Sequence, residues 1–131
     1  MQYDDEKDYV LRIIKEATSV LFTMLTGKKY RQLYLASETR YEVSGNQPND
    51  FRNMADLGQV NEAENILLDG IDYSNKDEVI AAALFYQYVS EKGEDFLQSC
   101  NYSEEEALDG FRQLMERSGY WELFEMVKRN G

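Results

Sequence analysis

The 131-residue sequence contains no histidine, a single cysteine, a single proline and a single tryptophan, and its 14 lysines and arginines stand against 25 aspartates and glutamates. The absence of histidine excludes a Ser-His-Asp triad, a Cys-His nucleophile pair and the imidazole ligands of most zinc and haem sites. No metal and no cofactor are expected, and the chain reads as non-enzymatic. Cys100 has no second cysteine to pair with, and the N-terminus lacks a basic region followed by an apolar stretch and a small-residue cleavage site, so a cytoplasmic location is expected. The longest strongly apolar stretch, from Ala17 to Leu25, is interrupted by Thr18, Ser19 and Thr23 and falls well short of the roughly 20 residues a spanning helix needs. A membrane is therefore not an expected partner. Neither is nucleic acid, because a formal charge of −11 repels a phosphate backbone.

Enough apolar material remains for a core: 43% of residues are hydrophobic and 13% aromatic, which suits a single domain over 1–131 with a flexible loop near 39–50. From Asp5 to Thr26, a step of about 100° per residue puts Tyr9, Val20, Ile13, Met24, Ala17, Val10, Leu21, Ile14, Leu25, Leu11 and Phe22 in one arc about 220° wide. Thr18 is the only polar residue within that arc. A surface helix needs an apolar stripe of only about 100° to meet a core, so this helix is expected to make contacts on two sides. Two other helices of the same chain would supply them in the plainer reading. In the sharper one, Leu11, Phe22 and Leu25, at one margin of the arc, meet a partner protein or a second copy of the chain as a homodimer.

Lys28 to Glu38 keeps a partial helical spacing, Thr39 to Val43 alternates as a strand would, and Ser44-Gly-Asn-Gln-Pro-Asn-Asp50 collects turn formers into an expected loop. Asp50 then caps a short helix carrying Phe51, Met54 and Ala55, and a turn at Gly58 leads into a second one with Val60, Ala63, Leu67 and Ile71 on one face. Asn75 with Glu78 three residues on resembles a capping box opening a helix from Lys76 to Lys92. That helix is apolar nearly all round and should lie at the centre of the fold. A single turn from Glu94 to Ser99 follows, then a helix opened by Ser103 with Glu106 in capping-box register, and finally a short helix beginning at Trp121. The class expected is all-α, a helical bundle or an array of antiparallel helix pairs.

Two resemblances accompany this reading. Gly58-Gln-Val-Asn-Glu-Ala63 with Leu67 and Gly70 resembles the second helix of a tetratricopeptide repeat. The likeness is confined to the hairpin, because the preceding helix would have to run through Pro48, and one repeat length of about 34 residues further on Lys92, Leu97 and Asn101 replace the required types. Over most of its length the chain resembles a family of short, acidic, uncharacterised proteins from Gram-positive bacteria. That likeness rests on Asp8-Tyr-Val-Leu-Arg-Ile-Ile-Lys15, Asn61-Glu-Ala-Glu-Asn-Ile-Leu-Leu68, Ala83-Leu-Phe-Tyr86, Glu94-Asp-Phe-Leu97 and Asn101-Tyr-Ser-Glu-Glu-Glu106 with Gly110, taken in order. It implies an all-helical soluble protein and lends no catalytic residues.

Three constellations remain. Glu62, Glu64, Asp69 and Asp72 read as a solvated acidic face rather than a metal site, since Glu64 points away from the face shared by Glu62 and Asp69. Lys28, Lys29 and Arg31, interleaved with Tyr30 and Tyr34, could hold an anion, although complementing a helix end explains the lysines equally well. Cys100 reads as a small buried thiol, and the rings of Tyr86 and Tyr88 as packed side chains with satisfied hydroxyls. The leading expectation is a non-catalytic interaction module acting through the N-terminal helix or a groove beside the hairpin. The alternative is a small-molecule binder or unconventional enzyme with a pocket of tyrosines and carboxylates.

Overall fold

The computed structural model describes residues 2–27 and 48–130, and among them every regular element is a helix. In chain order these are α1 (Gln2–Thr26), α2 (Pro48–Asp56), α3 (Val60–Gly70), α4 (Lys76–Glu91), α5 (Glu94–Ser99), α6 (Glu104–Ser118) and α7 (Trp121–Asn130). The expected helix to Glu38, the strand-like alternation from Thr39 to Val43 and the candidate anion site at Lys28, Lys29 and Arg31 lie outside the described residues. The loop expected to extend through Asp50 is corrected at its end. Helix α2 already begins at Pro48, whose missing N–H and fixed φ suit the first turn, and Asp50 lies within that turn rather than before it.

Helix α4 is the centre, as its all-round apolar sequence requires. Val79 to Gln87, Val89 and Ser90 are buried, and α1, α2 and α6 pack around it. The three consecutive alanines at 81–83 keep that helix slim where its neighbours approach. Its start is fixed by Asn75, whose side chain accepts from the N–H groups of Asp77 and Glu78 at 2.9 and 3.2 Å. The expected reciprocal bond goes elsewhere: Glu78 Oε1 accepts from the N–H of Asp72 at 2.9 Å, which ties down the turn after α3. Ser103 caps α6 in the same manner, its hydroxyl accepting from the N–H of Glu106 at 3.0 Å.

Helices α6 and α7 form a hairpin around Gly119, which takes the left-handed conformation (φ 91°) that ends α6. A series of rings joins the layers, from Phe51 on α2 to Phe85 and Tyr86 on α4, Phe111 on α6 and Phe124 and Trp121 on α7, with centroids 5.4 to 6.5 Å apart. Pairs of this kind add about 0.5 to 1.5 kcal/mol each beyond the area they bury. Helix α1 lies against α4, α6 and α7, so the plainer reading of its wide arc holds for most of its length. Thr18, the one polar residue in that arc, is buried with its apolar neighbours.

Candidate functional site

Two concavities of opposite character stand out on the described surface. The first is a cleft of about 480 Å³ between α3 and α6. Its α3 wall comes from Glu64 and Leu68, which share a face with Asn61 one turn earlier. The Asn61 amide donates to the carbonyls of Cys100 and Asn101 at 3.3 and 3.2 Å, anchoring α3 to the turn after α5. In that turn Asn101 takes a left-handed conformation (φ 61°), which asparagine tolerates better than most residues. The reversal sends the next side chain, Tyr102, inward, and its N–H reaches back to the carbonyl of Leu97 at 2.9 Å.

Glu64 is thereby placed over a floor of phenols. Tyr86, from the central helix, donates its hydroxyl to Glu64 Oε2 at 2.6 Å. The Tyr102 hydroxyl, buried beside Tyr86, faces the same carboxylate and favours its ionised form. Burial pushes the Glu64 carboxyl above its ordinary value; the two phenols pull the other way, and the negative charges of Glu106 and Asp109 push up again. Burial and then Glu64 itself push both phenols upward, so they stay neutral donors. Gly110 on α6 makes the arrangement possible, because a Cβ at that position would lie 2.6 Å from Tyr86 and 2.8 Å from Glu64 Oε2. Glu105, Glu106 and Asp109 form the α6 rim; of these, Asp109 is engaged by Arg112 and Gln113. At the other end, Arg117 donates to the Tyr73 hydroxyl at 3.4 Å and lies over its ring.

The second concavity, about 570 Å³, is a groove between α1 and α7 lined by Arg12, Lys15, Glu16, Ser19 and Val20 on one side and Met126 and Val127 on the other. Val20 and Met126 are 36% and 48% exposed, and Met24, one turn beyond Val20, is 56% exposed. Lys128 and Arg129 extend the positive charge along the last turn of α7.

Of the expected partner-facing residues on α1, one is buried and two are half-buried. Phe22 is 8% exposed and packs against Ile80 and Leu84 of α4, with Leu25 half-buried against the same cluster and Leu11 also half-buried. Phe22 is thus a core residue of this subunit. The surplus apolar surface of α1 is at the opposite margin of its arc, on Val20 and Met24. A correction also applies to the acidic face of α3: Glu62, Asp69 and Asp72 are exposed as expected, but Glu64 is not part of a solvated face. Tyr86 and Tyr88 do have satisfied hydroxyls, the latter donating to Asp56 at 2.6 Å. Cys100 is half-buried, its S–H donating to the carbonyl of Phe96 at 3.1 Å.

With this geometry in hand, comparison with known proteins adds one finding. The model of the family of unknown function DUF6483 matches residues 4–119. The chain belongs to that family. The match takes in α1 to α6, and thus the whole α3/α6 cleft, while α7 lies beyond the DUF6483 match. No curated protein and no solved structure matches this DUF6483 chain.

Proposed function

We propose that this DUF6483 protein is a non-catalytic interaction module that receives an acidic amphipathic helix of a partner protein in the groove between α1 and α7. The observation that carries this reading is the composition of the groove. Two aliphatic side chains that the fold leaves partly in water, Val20 and Met126, share the groove with Arg12, Lys15 and Glu16 in a chain whose formal charge is −11. An apolar surface with two cations against one carboxylate complements a helix whose hydrophobic residues repeat at i, i+3, i+4 and i+7 and whose flanks are acidic. A heterologous partner is favoured over a second copy because two copies bring like net charge to the contact. The cytoplasm, where the cysteine stays reduced, is the compartment this reading assumes.

The test uses a fluorescein-labelled peptide with leucines at helical i, i+3, i+4 and i+7 spacing and glutamates elsewhere, followed by anisotropy. Saturable binding is expected, weakening as salt rises and falling by about tenfold or more in the double variant Val20→Glu, Met126→Glu. That variant should keep its unfolding free energy within about 0.5 kcal/mol of wild type, since both sites are exposed. Equal binding of a lysine-for-glutamate peptide, or full affinity in the double variant, would overturn the reading. Concentration-dependent light scattering that the same two substitutions abolish would put a second copy in the groove instead.

A further inference from the structure

Helix α7 joins the fold differently from the helices before it. The DUF6483 match ends at Gly119, so α1 to α6 form the matched unit and α7 is seated on it from outside. Tyr120, Leu123, Phe124 and Val127 stand at i, i+3, i+4 and i+7, the spacing with which a helix anchors itself on an apolar face. Its seat is the face of α1 and α6, where Leu123, Phe124 and Val127 are buried and the Phe124 ring meets that of Phe111 at 6.0 Å. The connection is short, Gly119 and Tyr120 alone, and Gly119 takes the left-handed conformation (φ 91°) that L side chains rarely adopt. With Gly119 in the ordinary helical conformation instead, α6 would run straight on and carry α7 off its seat.

We propose that α7 is an exchangeable arm, and that two copies of the chain pair by each laying its α7 on the α1/α6 face of the other. Fit selects the occupant: the face already receives this helix within one subunit, and a second copy brings the same helix to it. Charge agrees with that choice. Glu122 and Glu125 are balanced by Lys128 and Arg129, so the arm is neutral within a chain of formal charge −11, and the like charge that opposes other contacts between copies is absent from the part exchanged. The hinge agrees as well. A two-residue turn folds α7 back along α6, whereas a straightened hinge releases the left-handed residue and regains the same apolar contacts across the dimer. Exchange keeps the α1/α7 groove, with Met126 and Val127 supplied by the other copy, so the inference does not depend on the acidic-helix reading of that groove.

The test is refolding of the full chain from urea at about 1 mM and at about 10 μM, followed by size-exclusion chromatography with light scattering. A dimer is expected in the concentrated sample and a monomer in the dilute one. Gly119→Ala, which disfavours the left-handed turn by about tenfold at each of two hinges, should tighten the dimer by about hundredfold. Refolding a mixture of ¹³C-labelled and unlabelled chains then identifies the contact, since NOEs between Phe111 and Phe124 should appear between labelled and unlabelled copies. The dimer should survive the double variant Val20→Glu, Met126→Glu, which separates it from two copies meeting through the α1/α7 groove. A wild-type chain that stays monomeric when concentrated, a dimer no tighter in Gly119→Ala, Phe111–Phe124 NOEs confined to single chains, or a dimer lost with the two glutamates would each overturn the proposal. The wild-type samples decide the matter even if Gly119→Ala fails to fold.

Discussion

The groove between α1 and α7 and the cleft between α3 and α6 are of similar size, yet they are built in opposite ways. The groove carries side chains that keep part of their surface in water, Val20 and Met126, beside Val127, which belongs to the core. In the cleft, Glu64 is bonded to Tyr86, faced by Tyr102 and bounded by Gly110, so each member constrains another. A surface of the first kind can change its sequence while the fold persists, whereas one of the second kind changes the fold's energy whenever its chemistry is altered. Substitutions should therefore separate the two regions on a stability scale before any ligand is added.

The largest difference is expected within α1 itself. Phe22→Ala empties a site enclosed by Ile80 and Leu84 and should cost about 3 kcal/mol in urea denaturation. Val20→Ala, two residues away at the open margin, should cost less than about 0.5 kcal/mol. Equal losses at the two positions would mean that the groove margin is as much a part of the core as the α4-facing margin, and the contrast would collapse.

A smaller effect is expected from Gly110→Ala. Helix propensity alone favours the alanine by about 1 kcal/mol. Against this, the new methyl meets the Tyr86 ring and Glu64 at distances no real contact sustains, and it must displace the bonded pair. The balance should be a loss of about 1 to 3 kcal/mol, read in urea denaturation. A stabilised variant would show that the Tyr86–Glu64 pair gives way easily and that the cleft is less rigid than its geometry implies.

The sequence makes the helices legible because a period near 3.6 and side-chain caps are local properties: Asn75, Ser103 and the apolar positions of α4 each act within a turn or two of themselves. The total apolar width of α1 is legible for the same reason. Which margin of that arc stays open is not, because a helical wheel contains no information about neighbours. Helix α4 lies over Phe22, whereas Val20 and Met24 keep 36% and 56% of their surface exposed. Glu64 is illegible in its own segment, where it is one acidic residue among several. The clues lie 22 and 46 residues away, in the phenol of Tyr86 and in a glycine within an otherwise good helix at Gly110, and only the tertiary fold brings them together.

The subtlest expected effect has the opposite sign to the others. Because burial holds the Glu64 carboxyl above its ordinary value of 4.5, the folded state retains this proton more strongly than the unfolded chain does. Below pH 4.5 both states are protonated and the group is neutral to stability. As pH rises beyond that point the unfolded chain sheds its proton first, stability falls, and the penalty is complete once the folded carboxyl has ionised as well. Glu64→Gln, which keeps an acceptor for Tyr86 and carries no charge, should therefore be more stable than wild type at neutral pH. The gain should reach up to about 1 kcal/mol, kept small by the partial exposure of the group, and should vanish on acidification below pH 4.5. Urea denaturation of both proteins at several pH values measures it. If Glu64 served only to hold α3 on α4, glutamine would do so at lower cost. A glutamine variant no more stable at pH 7 than at pH 4 would show that burial does not set the ionisation of Glu64.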